Sequence, residues 1–503
     1  MKKITTLGQL KKSSYKSKSI KEELRDNLLE RLKAHQKSFN GIIGYDTTVI
    51  PDVERAILSR HNILLLGLRG QAKTRIARQM VNLLDEYIPI VGGSEILDDP
   101  FQPLSIYSRN LIEINGDETP VEWVHRDERF GEKLATPDVT VADLIGDVDP
   151  IKAATQKLHY ADERVLHFGI IPRSNRSIFV INELPDLQAR IQVALFNLLE
   201  EGDLQIRGFK LRFPLDIQFV FTANPEDYTN RGSIVTPLKD RIESQILTHY
   251  PKTIADSKAI TAQEAKLSDA QLKRVLIPDI SKDLIENIAF AARDSEFVDE
   301  KSGVSARLTI SAMENLVSTA ERRAVLNGEK QTMIRLSDFS GVFAAITGKI
   351  EMVYEGEQEG PVRVAQNIID KAIRNVFVQY FPNPTKVKKR KSAQSEDTIY
   401  RTVQAYFEEG NVIDIMVDQS DEAYKKKLDG ISGLRDLVMA HVKVATKNEL
   451  YVWMEFVLHG MAAYSLLSKF QLEEGSKFSD ITTAMFNFSK GGEVDDDLKE
   501  LFT

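Results

Sequence analysis

Apolar positions follow two different spacings in the first half of the chain. From about Ile42 to Tyr250, short apolar runs of strand length alternate with stretches of helical spacing. The strand candidates are Ile63–Leu66, Leu111–Ile114, Ile178–Ile181 and Phe219–Thr222. Because strands that alternate with helices build a parallel sheet covered by helices, we predict an α/β fold for this half.

Helical spacing dominates the rest of the chain. Leucines between Ile20 and about Phe39 predict a leader helix, and the region from Pro251 to about Tyr354 predicts an all-helical lid. A further helix, Val364–Tyr380, precedes the basic run Lys386–Lys391, which indicates an exposed linker. The predicted domains are 1–38 (leader and helix), 39–250 (α/β domain), 251–355 (helical lid), 356–397 (helix and basic linker) and 398–503 (helix-rich C-terminal region).

Composition excludes several classes of protein. The chain has 503 residues, which is too long for one core, and it has no cysteine, which excludes disulfides and thiolate chemistry. Its 8 histidines lack the H-E-x-x-H spacing of a zinc site. The net charge of −8 argues against nucleic acid as the default partner. The sequence shows neither an apolar run of about 20 residues nor an apolar signal segment, so we expect a cytoplasmic protein without a membrane span.

The clearest chemical motif follows the strand Ile63–Leu66. It matches the phosphate-binding loop G-x-x-x-x-G-K-[ST], except that Ala72 stands where the second glycine is expected. In such a loop backbone N–H groups surround the phosphates, the lysine reaches the β- and γ-phosphates, and the hydroxyl ligates Mg²⁺. The predicted binding residues for ATP are Gly67, Leu68, Arg69, Gly70, Gln71, Ala72, Lys73 and Thr74. The alternative is a glycine turn between a strand and a helix.

A second polar site follows the buried-strand run Ile178–Ile181. Asn182 and Glu183 stand where a Walker B motif places an aspartate for Mg²⁺ and a glutamate that polarises the attacking water. Glu183 is therefore the candidate base, and Thr74 and Asn182 are the candidate metal ligands. An amide contributes no negative charge, so we expect Asn182 to weaken metal binding or turnover. The alternative is a buried strand whose polar end meets solvent.

Three further residues complete the candidate site. Asn224 follows the strand Phe219–Thr222 and would orient the attacking water, unless it only forms a turn before Pro225. Arg241 is the candidate for an arginine offered to a neighbouring subunit's γ-phosphate, with Arg231 as second choice. Either arginine could instead form a surface ion pair. Arg307 opens a helix of the lid and could approach the phosphates.

This ordered set resembles the AAA+ ATPases, in the branch of the MoxR proteins and the magnesium-chelatase ATPase subunit. The resemblance covers about Phe39 to Tyr354 and rests on Gly67–Thr74, Leu144–Ile151, Phe168–Arg173, Leu195–Glu201, Ala223–Glu226 and Leu238–Arg241. It implies Glu183 as catalytic glutamate, Asn224 as sensor 1, Arg241 as arginine finger and Arg307 as sensor 2. It also implies a ring, usually hexameric, that remodels a protein partner, often one with a von Willebrand A domain.

Three functions are compatible with these residues. The leading hypothesis is a ring-forming, chaperone-like ATP hydrolase that uses Mg²⁺ and remodels or activates a protein partner. A nucleic-acid motor is supported only by Lys386–Lys391 and the basic segment Arg207–Arg212. A nucleotide-dependent assembly protein with little hydrolysis is suggested by Asn182. The region beyond about Ser392 lies outside the family pattern, and it either provides partner specificity or packs as helices.

Overall fold

The computed structural model describes residues 4–156, 163–200, 203–205, 212–225, 233–387, 399–472 and 475–481. The chain divides into two compact units, residues 1–250 and 251–503. The finer division into five parts stays a prediction.

A five-stranded sheet forms the centre of the first unit. Its strands are β1 (Ile63–Leu66), β2 (Phe130–Leu134), β3 (Ser177–Asn182), β4 (Ile217–Ala223) and β5 (Ser244–Leu247). Their order across the sheet is β5-β1-β4-β3-β2, and each neighbouring pair is parallel. The predicted parallel α/β fold is confirmed. Because all five strands run the same way, the carboxyl ends of β1, β3 and β4 meet at one edge.

The central strands are buried on both faces. Leu64, Phe179 and Phe221 pack in a core on one face, whereas Val180 and Val220 pack in a second core on the other. Burial on both faces requires apolar residues at successive positions, which explains the continuous apolar runs of β3 and β4.

Helices cover this sheet. In the first unit the α-helices are Leu7–Lys11, Ile20–Lys33, Val49–Leu58, Lys73–Gln79, Ile106–Asn115, Val141–Leu144, Pro150–Gln156, Ile170–Arg173, Ala189–Ala194, Phe196–Glu200 and Thr236–Asp240. Short 3-10 helices are Met80–Leu83, Gly116–Glu118, Arg126–Glu128, Glu163–Val165 and Leu184–Asp186. Three antiparallel strand pairs lie outside the central sheet: Tyr87–Val91 with Val121–His125, Gly146–Val148 with Leu166–Phe168, and Asp203–Gln205 with Arg212–Pro214.

One predicted strand is wrong. Leu111–Ile114 lies within the helix Ile106–Asn115, which begins where the Ser105 hydroxyl accepts a hydrogen bond from the Ser108 backbone N–H. Ile114 is 80% exposed, so this apolar run does not mark a buried strand. A short apolar run does not by itself distinguish a strand from a helix.

The predicted leader helix is present as Ile20–Lys33, and buried polar contacts fix it to the sheet. Arg129, just before β2, donates from Nη1 and Nη2 to the two carboxylate oxygens of Glu23, each at 2.7 Å. Both side chains are almost fully buried. The backbone N–H of Ile20 donates to Asp216 at 2.7 Å. The leader is therefore part of the first unit's packed structure.

The second unit is mostly helical. Its α-helices are Ile254–Glu264, Asp269–Arg274, Asp279–Arg293, Arg307–Leu326, Phe343–Thr347, Tyr354–Glu359, Pro361–Tyr380, Pro384–Val387, Arg401–Glu408, Asp421–Asp429, Leu434–His441 and Lys447–Ala463, with a 3-10 helix at Ser337–Val342. The lid, predicted as all-helical, contains one pair of short strands, and the helix-rich C-terminal region contains a small sheet. Val275–Leu276 pairs in parallel with Thr332–Met333, and Ile413–Met416, Gly475–Ser479 and Ser468–Leu472 form an antiparallel sheet in that order.

A single hydrophobic core runs through the second unit, from Val275 to Phe478. At its centre the helices Pro361–Tyr380 and Lys447–Ala463 pack closely. A Cβ added at Gly460 would overlap the ring of Phe377, which is fully buried. Glycine at this position therefore permits the close approach of the two helices.

Within the described parts of the chain, no helix is long and apolar enough to cross a membrane. Several sequence predictions concern residues outside those parts. They include Arg231, most of the basic segment Arg207–Arg212, and most of the basic run Lys386–Lys391 with the rest of the linker to residue 397.

Candidate functional site

The phosphate-binding loop connects β1 to the helix Lys73–Gln79. Gly67 begins the loop, and a Cβ at this position would overlap the side chains of Thr248 and Gln71. Those two side chains share a hydrogen bond of 2.7 Å, which closes the loop against the end of β5. A glycine is therefore required at position 67 by packing as well as by the motif.

Ala72 adopts a backbone conformation that favours glycine. Its φ is 58° and its ψ is 14°, in the left-handed region, and it is the residue directly before the helix. A residue with a Cβ is destabilised there by about 1–2 kcal/mol relative to glycine. The structure thus shows why the motif has glycine at this position, and that alanine keeps the turn at some cost in stability.

Two tyrosines hold the loop from outside the motif. The Tyr45 hydroxyl donates to the carbonyls of Gln71 at 3.1 Å and His249 at 2.6 Å. Burial raises the pKa of Tyr45 to about 12, so its hydroxyl keeps its proton and remains a donor. The Tyr250 hydroxyl donates to the carbonyl of Arg69 at 3.1 Å. Neither tyrosine is predictable from the sequence as part of the site, because no local pattern links them to the loop.

Lys73 lies at the floor of the loop, buried. Its ammonium group donates to the carbonyls of Gly67 and Leu68, the second at 2.9 Å. It also donates to Oδ1 of Asn224 at 2.7 Å. Lys73 therefore joins the loop to the carboxyl end of β4.

Asn224 connects Lys73 to Glu183. Its Nδ2 donates to the Glu183 carboxylate at 2.7 Å while its Oδ1 accepts from Lys73. Glu183 itself has a φ of 56° and a ψ of 50°, in the left-handed region, directly after β3. Non-glycine residues held in this conformation concentrate at functional sites, because packing must offset the strain. The structure brings Lys73, Asn224 and Glu183 into one continuous polar chain.

Asn182 faces the hydroxyl of Thr74. Its Oδ1 accepts from Thr74 Oγ1 at 3.3 Å and from Thr222 Oγ1 at 3.1 Å. Its Nδ2 donates to Oε1 of Glu132, on the neighbouring strand β2, at 2.6 Å. Thr222 and Glu132 are not predictable from the sequence as neighbours of Asn182, since their proximity to it depends on the pairing of distant strands.

These side chains offer oxygen atoms of the kind that Mg²⁺ prefers. In nucleotide sites Mg²⁺ is held by one or two protein oxygens together with phosphate oxygens. Thr74 and Asn182 bring a hydroxyl and a carbonyl oxygen within hydrogen-bond distance of each other, and Glu183 is the next residue in the chain. The donor set fits a magnesium ion shared with a nucleotide. Among the described residues, no group of three or more His, Cys, Asp or Glu is placed to hold a metal ion.

Arg241 directly follows the helix Thr236–Asp240. Its guanidinium donates to Glu200 at 2.8 Å and to the carbonyl of Pro237 at 2.9 Å, and it stacks over the Phe196 ring. The surface ion pair weighed as an alternative therefore exists, with Glu200. This ion pair is half-exposed, so little free energy is lost when Arg241 leaves Glu200 to bind another partner.

Arg307 belongs to the second unit. It is exposed and begins the helix Arg307–Leu326, where its backbone N–H donates to the Ser305 hydroxyl at 3.1 Å. Its role toward phosphates stays a prediction, and so does that of Arg231, which lies outside the described residues.

Comparison with known proteins gives similarity at the level of solved structures. No protein-family model and no curated relative match the chain. A protein of Cytophaga hutchinsonii assigned as an ATPase is 17% identical, with a TM-score of 0.29 over 70% of this chain and 96% of its own. The magnesium-chelatase subunits BchI and BchD, in a model of their complex, match at 18% identity and a TM-score of 0.30, over 59% and 90%.

A RuvB variant of Thermotoga maritima is 13% identical, with a TM-score of 0.31 over 82% of this chain and 98% of its own. Similarity of this extent carries no argument about activity, and the functional interpretation therefore rests on the geometry of the site.

Proposed function

We propose that this chain is a Mg²⁺-dependent ATPase of the AAA+ class, in the MoxR and magnesium-chelatase branch. The observation that supports this most directly is the polar chain from Lys73 through Asn224 to Glu183. It joins a phosphate-binding loop to a carboxylate at the carboxyl edge of a parallel sheet, where ligands of open α/β sheets bind.

Lys73 would bind the phosphates. Its ammonium group is buried at the floor of the loop, and phosphate oxygens are strong acceptors for an ammonium group. The backbone N–H groups at the start of the helix Lys73–Gln79 add further donors. Binding of ATP would give Lys73 charge-assisted hydrogen bonds to the phosphate oxygens.

Glu183 would act on the attacking water. A carboxylate at hydrogen-bond distance from a water molecule can accept its proton, and such a base typically contributes about 10²–10⁴-fold to the rate. Asn224 fixes the position of this carboxylate and links it to Lys73, so both respond to the same bound phosphate. Bound Mg²⁺ would neutralise charge on the β- and γ-phosphates. Thr74 and Asn182 are the residues that would hold it.

The proposed assembly is a ring, because an arginine that acts on a neighbouring subunit's nucleotide requires contact between subunits. We propose that Arg241 acts on the nucleotide of a neighbouring subunit in a ring, with the hexamer as the expected size. The ring would remodel a protein partner in the cytoplasm, and the sequence resemblance favours a partner with a von Willebrand A domain. Specificity for that partner would lie in residues 398–503.

The first test is steady-state ATP hydrolysis across a protein concentration series. We expect activity to rise cooperatively with concentration, and to be lost in Lys73→Ala and Glu183→Gln. Matched controls are Lys37→Ala and Glu30→Gln, which alter exposed residues of the same unit. ATP binding without hydrolysis at any concentration would favour the assembly protein with little turnover. Hydrolysis that requires DNA or RNA would favour the nucleic-acid motor.

A mixing experiment tests the arginine in trans. Arg241→Ala subunits keep an intact loop, whereas Lys73→Ala subunits keep Arg241. If the arginine acts across the subunit boundary, an equal mixture of the two inactive variants recovers activity at about a quarter of its interfaces, by random placement in a ring. A mixture as inactive as its components would overturn the trans role of Arg241 and leave the ATPase proposal intact.

A further inference from the structure

Glu132 lies beside the candidate metal site but belongs to no part of the phosphate-binding or Walker B motifs. It is in the middle of β2, which pairs in parallel with β3, so that Glu132 is aligned with Val180 and Leu134 with Asn182. From this position Oε1 of Glu132 accepts a hydrogen bond of 2.6 Å from Nδ2 of Asn182. The contact joins residues 50 positions apart.

This contact determines which way the Asn182 amide points. The two hydroxyls on the other side of the amide, Thr74 and Thr222, can each donate or accept, so they would tolerate either orientation. An ionised carboxylate can only accept. Glu132 therefore requires the NH₂ group of Asn182 to face β2, which turns the carbonyl oxygen of Asn182 toward Thr74.

Glu132 also places a negative charge next to Asn182, which is neutral. Its carboxylate is paired with Arg78, which donates from Nε at 2.8 Å and from Nη2 at 3.0 Å. The Arg78 side chain is 62% exposed, whereas that of Glu132 is 22% exposed. Solvent screens the exposed guanidinium, so the ion pair offsets the carboxylate's charge only in part.

We propose that Glu132 is a positioning residue for Mg²⁺: it orients the Asn182 oxygen and supplies, from the neighbouring strand, the negative charge that Asn182 lacks. The proposal rests on the proposed ATPase function and deepens it. Glu132 and Asn182, on adjacent strands, would together replace the aspartate that a Walker B motif has at the end of the strand.

The test is the dissociation constant of a fluorescent ATP analogue, measured with Mg²⁺ and with EDTA. Glu132→Gln removes the charge and keeps the size of the side chain. We expect the tightening of nucleotide binding by Mg²⁺ to fall about 10-fold, as for other residues that support metal ligands, while affinity in EDTA is unchanged. A simple loss of structure would change both affinities.

A second variant tests the same inference by moving the charge. In Glu132→Gln combined with Asn182→Asp, the carboxylate stands at position 182 and the new amide can donate to it. We expect this double variant to recover the response to Mg²⁺. Asn182→Asp alone brings two carboxylates together, and we expect a weaker recovery than in the double variant.

Arg78→Gln is the matched control, since it breaks the same ion pair and leaves Glu132 charged. It is expected to keep the response to Mg²⁺ or to increase it. Glu132→Gln with an unchanged response, or Arg78→Gln with a loss as large as that of Glu132→Gln, would overturn the inference. If the wild-type protein and Lys73→Ala bound the nucleotide equally, the proposed function itself would fail.

Discussion

Asn224 donates a hydrogen bond of 2.7 Å to Glu183, across the ends of two neighbouring strands. The same amide accepts from Lys73, so it has two roles that different substitutions separate. Asn224→Ala removes both contacts. Asn224→Asp keeps an acceptor for Lys73 and replaces the donor to Glu183 with a second carboxylate. We expect kcat to fall about 100-fold in both, because Glu183 loses its partner.

Nucleotide affinity separates the two variants. Asn224→Asp should bind a fluorescent ATP analogue more weakly than wild type, because its carboxylate pairs with Lys73 and repels the phosphates, whereas Asn224→Ala should bind about as tightly as wild type. Normal kcat in Asn224→Asp would show that the contact with Lys73, and not that with Glu183, supports turnover.

Ala72→Gly should stabilise the first unit. Glycine adopts the left-handed conformation of this position without the penalty that a Cβ brings, and the expected gain is about 1 kcal/mol. The measurement is the thermal midpoint of the first unit's unfolding transition. Ala77→Gly, in the helix that follows, is the control and should lower stability by about 1 kcal/mol, since Ala77 is helical. Equal effects at both positions would contradict the strain at Ala72.

Sequence patterns predicted the parts of the site that follow buried strands. β1, β3 and β4 each contain a continuous apolar run, so their ends, and with them Lys73, Glu183 and Asn224, were predictable. Glu132 was not, because β2 is an edge strand with two charged residues in Phe130–Leu134.

Contacts between side chains that are distant in the sequence were also not predictable. The contact between Glu132 and Asn182 depends on strand register, and the contact between Arg241 and Glu200 depends on helix placement, which no local pattern encodes. The helix that contains Leu111–Ile114 was mistaken for a strand because length and capping, rather than apolarity, distinguish the two.

The buried pair of Arg129 and Glu23 should be sensitive to the loss of one partner. Glu23→Ala leaves a buried guanidinium without its carboxylate, and the expected loss is about 3–5 kcal/mol in the free energy of unfolding of the first unit. Urea denaturation measures it. Lys18→Ala, which breaks the exposed pair with Asp26 near the same helix, should change stability by less than about 1 kcal/mol. Similar losses for the two variants would contradict the burial of Arg129.

Asp216 should make the first unit less stable as pH rises. Burial raises the pKa of this carboxyl from 3.8 to about 6, against the opposing effects of the Ile20 N–H, Arg176 and Arg129. The folded state therefore binds a proton more tightly than the unfolded state does. The contribution is complete below pH 3.8 and is lost as pH rises through about 6, with a total of about 3 kcal/mol from a shift of about two units.

Asp216→Asn measures this effect, because an amide does not titrate in this range. The stability of the variant relative to wild type, from thermal midpoints between pH 5 and 8, should increase with pH. A constant difference across this range would show that Asp216 titrates alike in the folded and unfolded chains.

Gly460→Ala should destabilise the second unit. The added methyl group overlaps the buried ring of Phe377, and overpacking of this kind costs about 1–3 kcal/mol. Thermal unfolding of the variant checks this. Gly430→Ala is the control, since a Cβ there meets the carbonyl oxygens of Lys427 at 3.4 Å and Lys426 at 3.7 Å, which is ordinary van der Waals contact. An unchanged midpoint in Gly460→Ala would mean that the two helices separate without cost.

The position of the leader helix has a consequence for synthesis of the chain. Ile20, Leu24 and Leu28 emerge from the ribosome early, yet Ile20 binds Asp216, which is 196 residues later, and Glu23 binds Arg129, which is 106 residues later. At about 5–20 residues per second, roughly 10–40 seconds pass before Asp216 is made. During that interval the leader has an apolar stripe and no sheet to cover it, so the leader helix is made before the residues that bury it and reaches its final place after them.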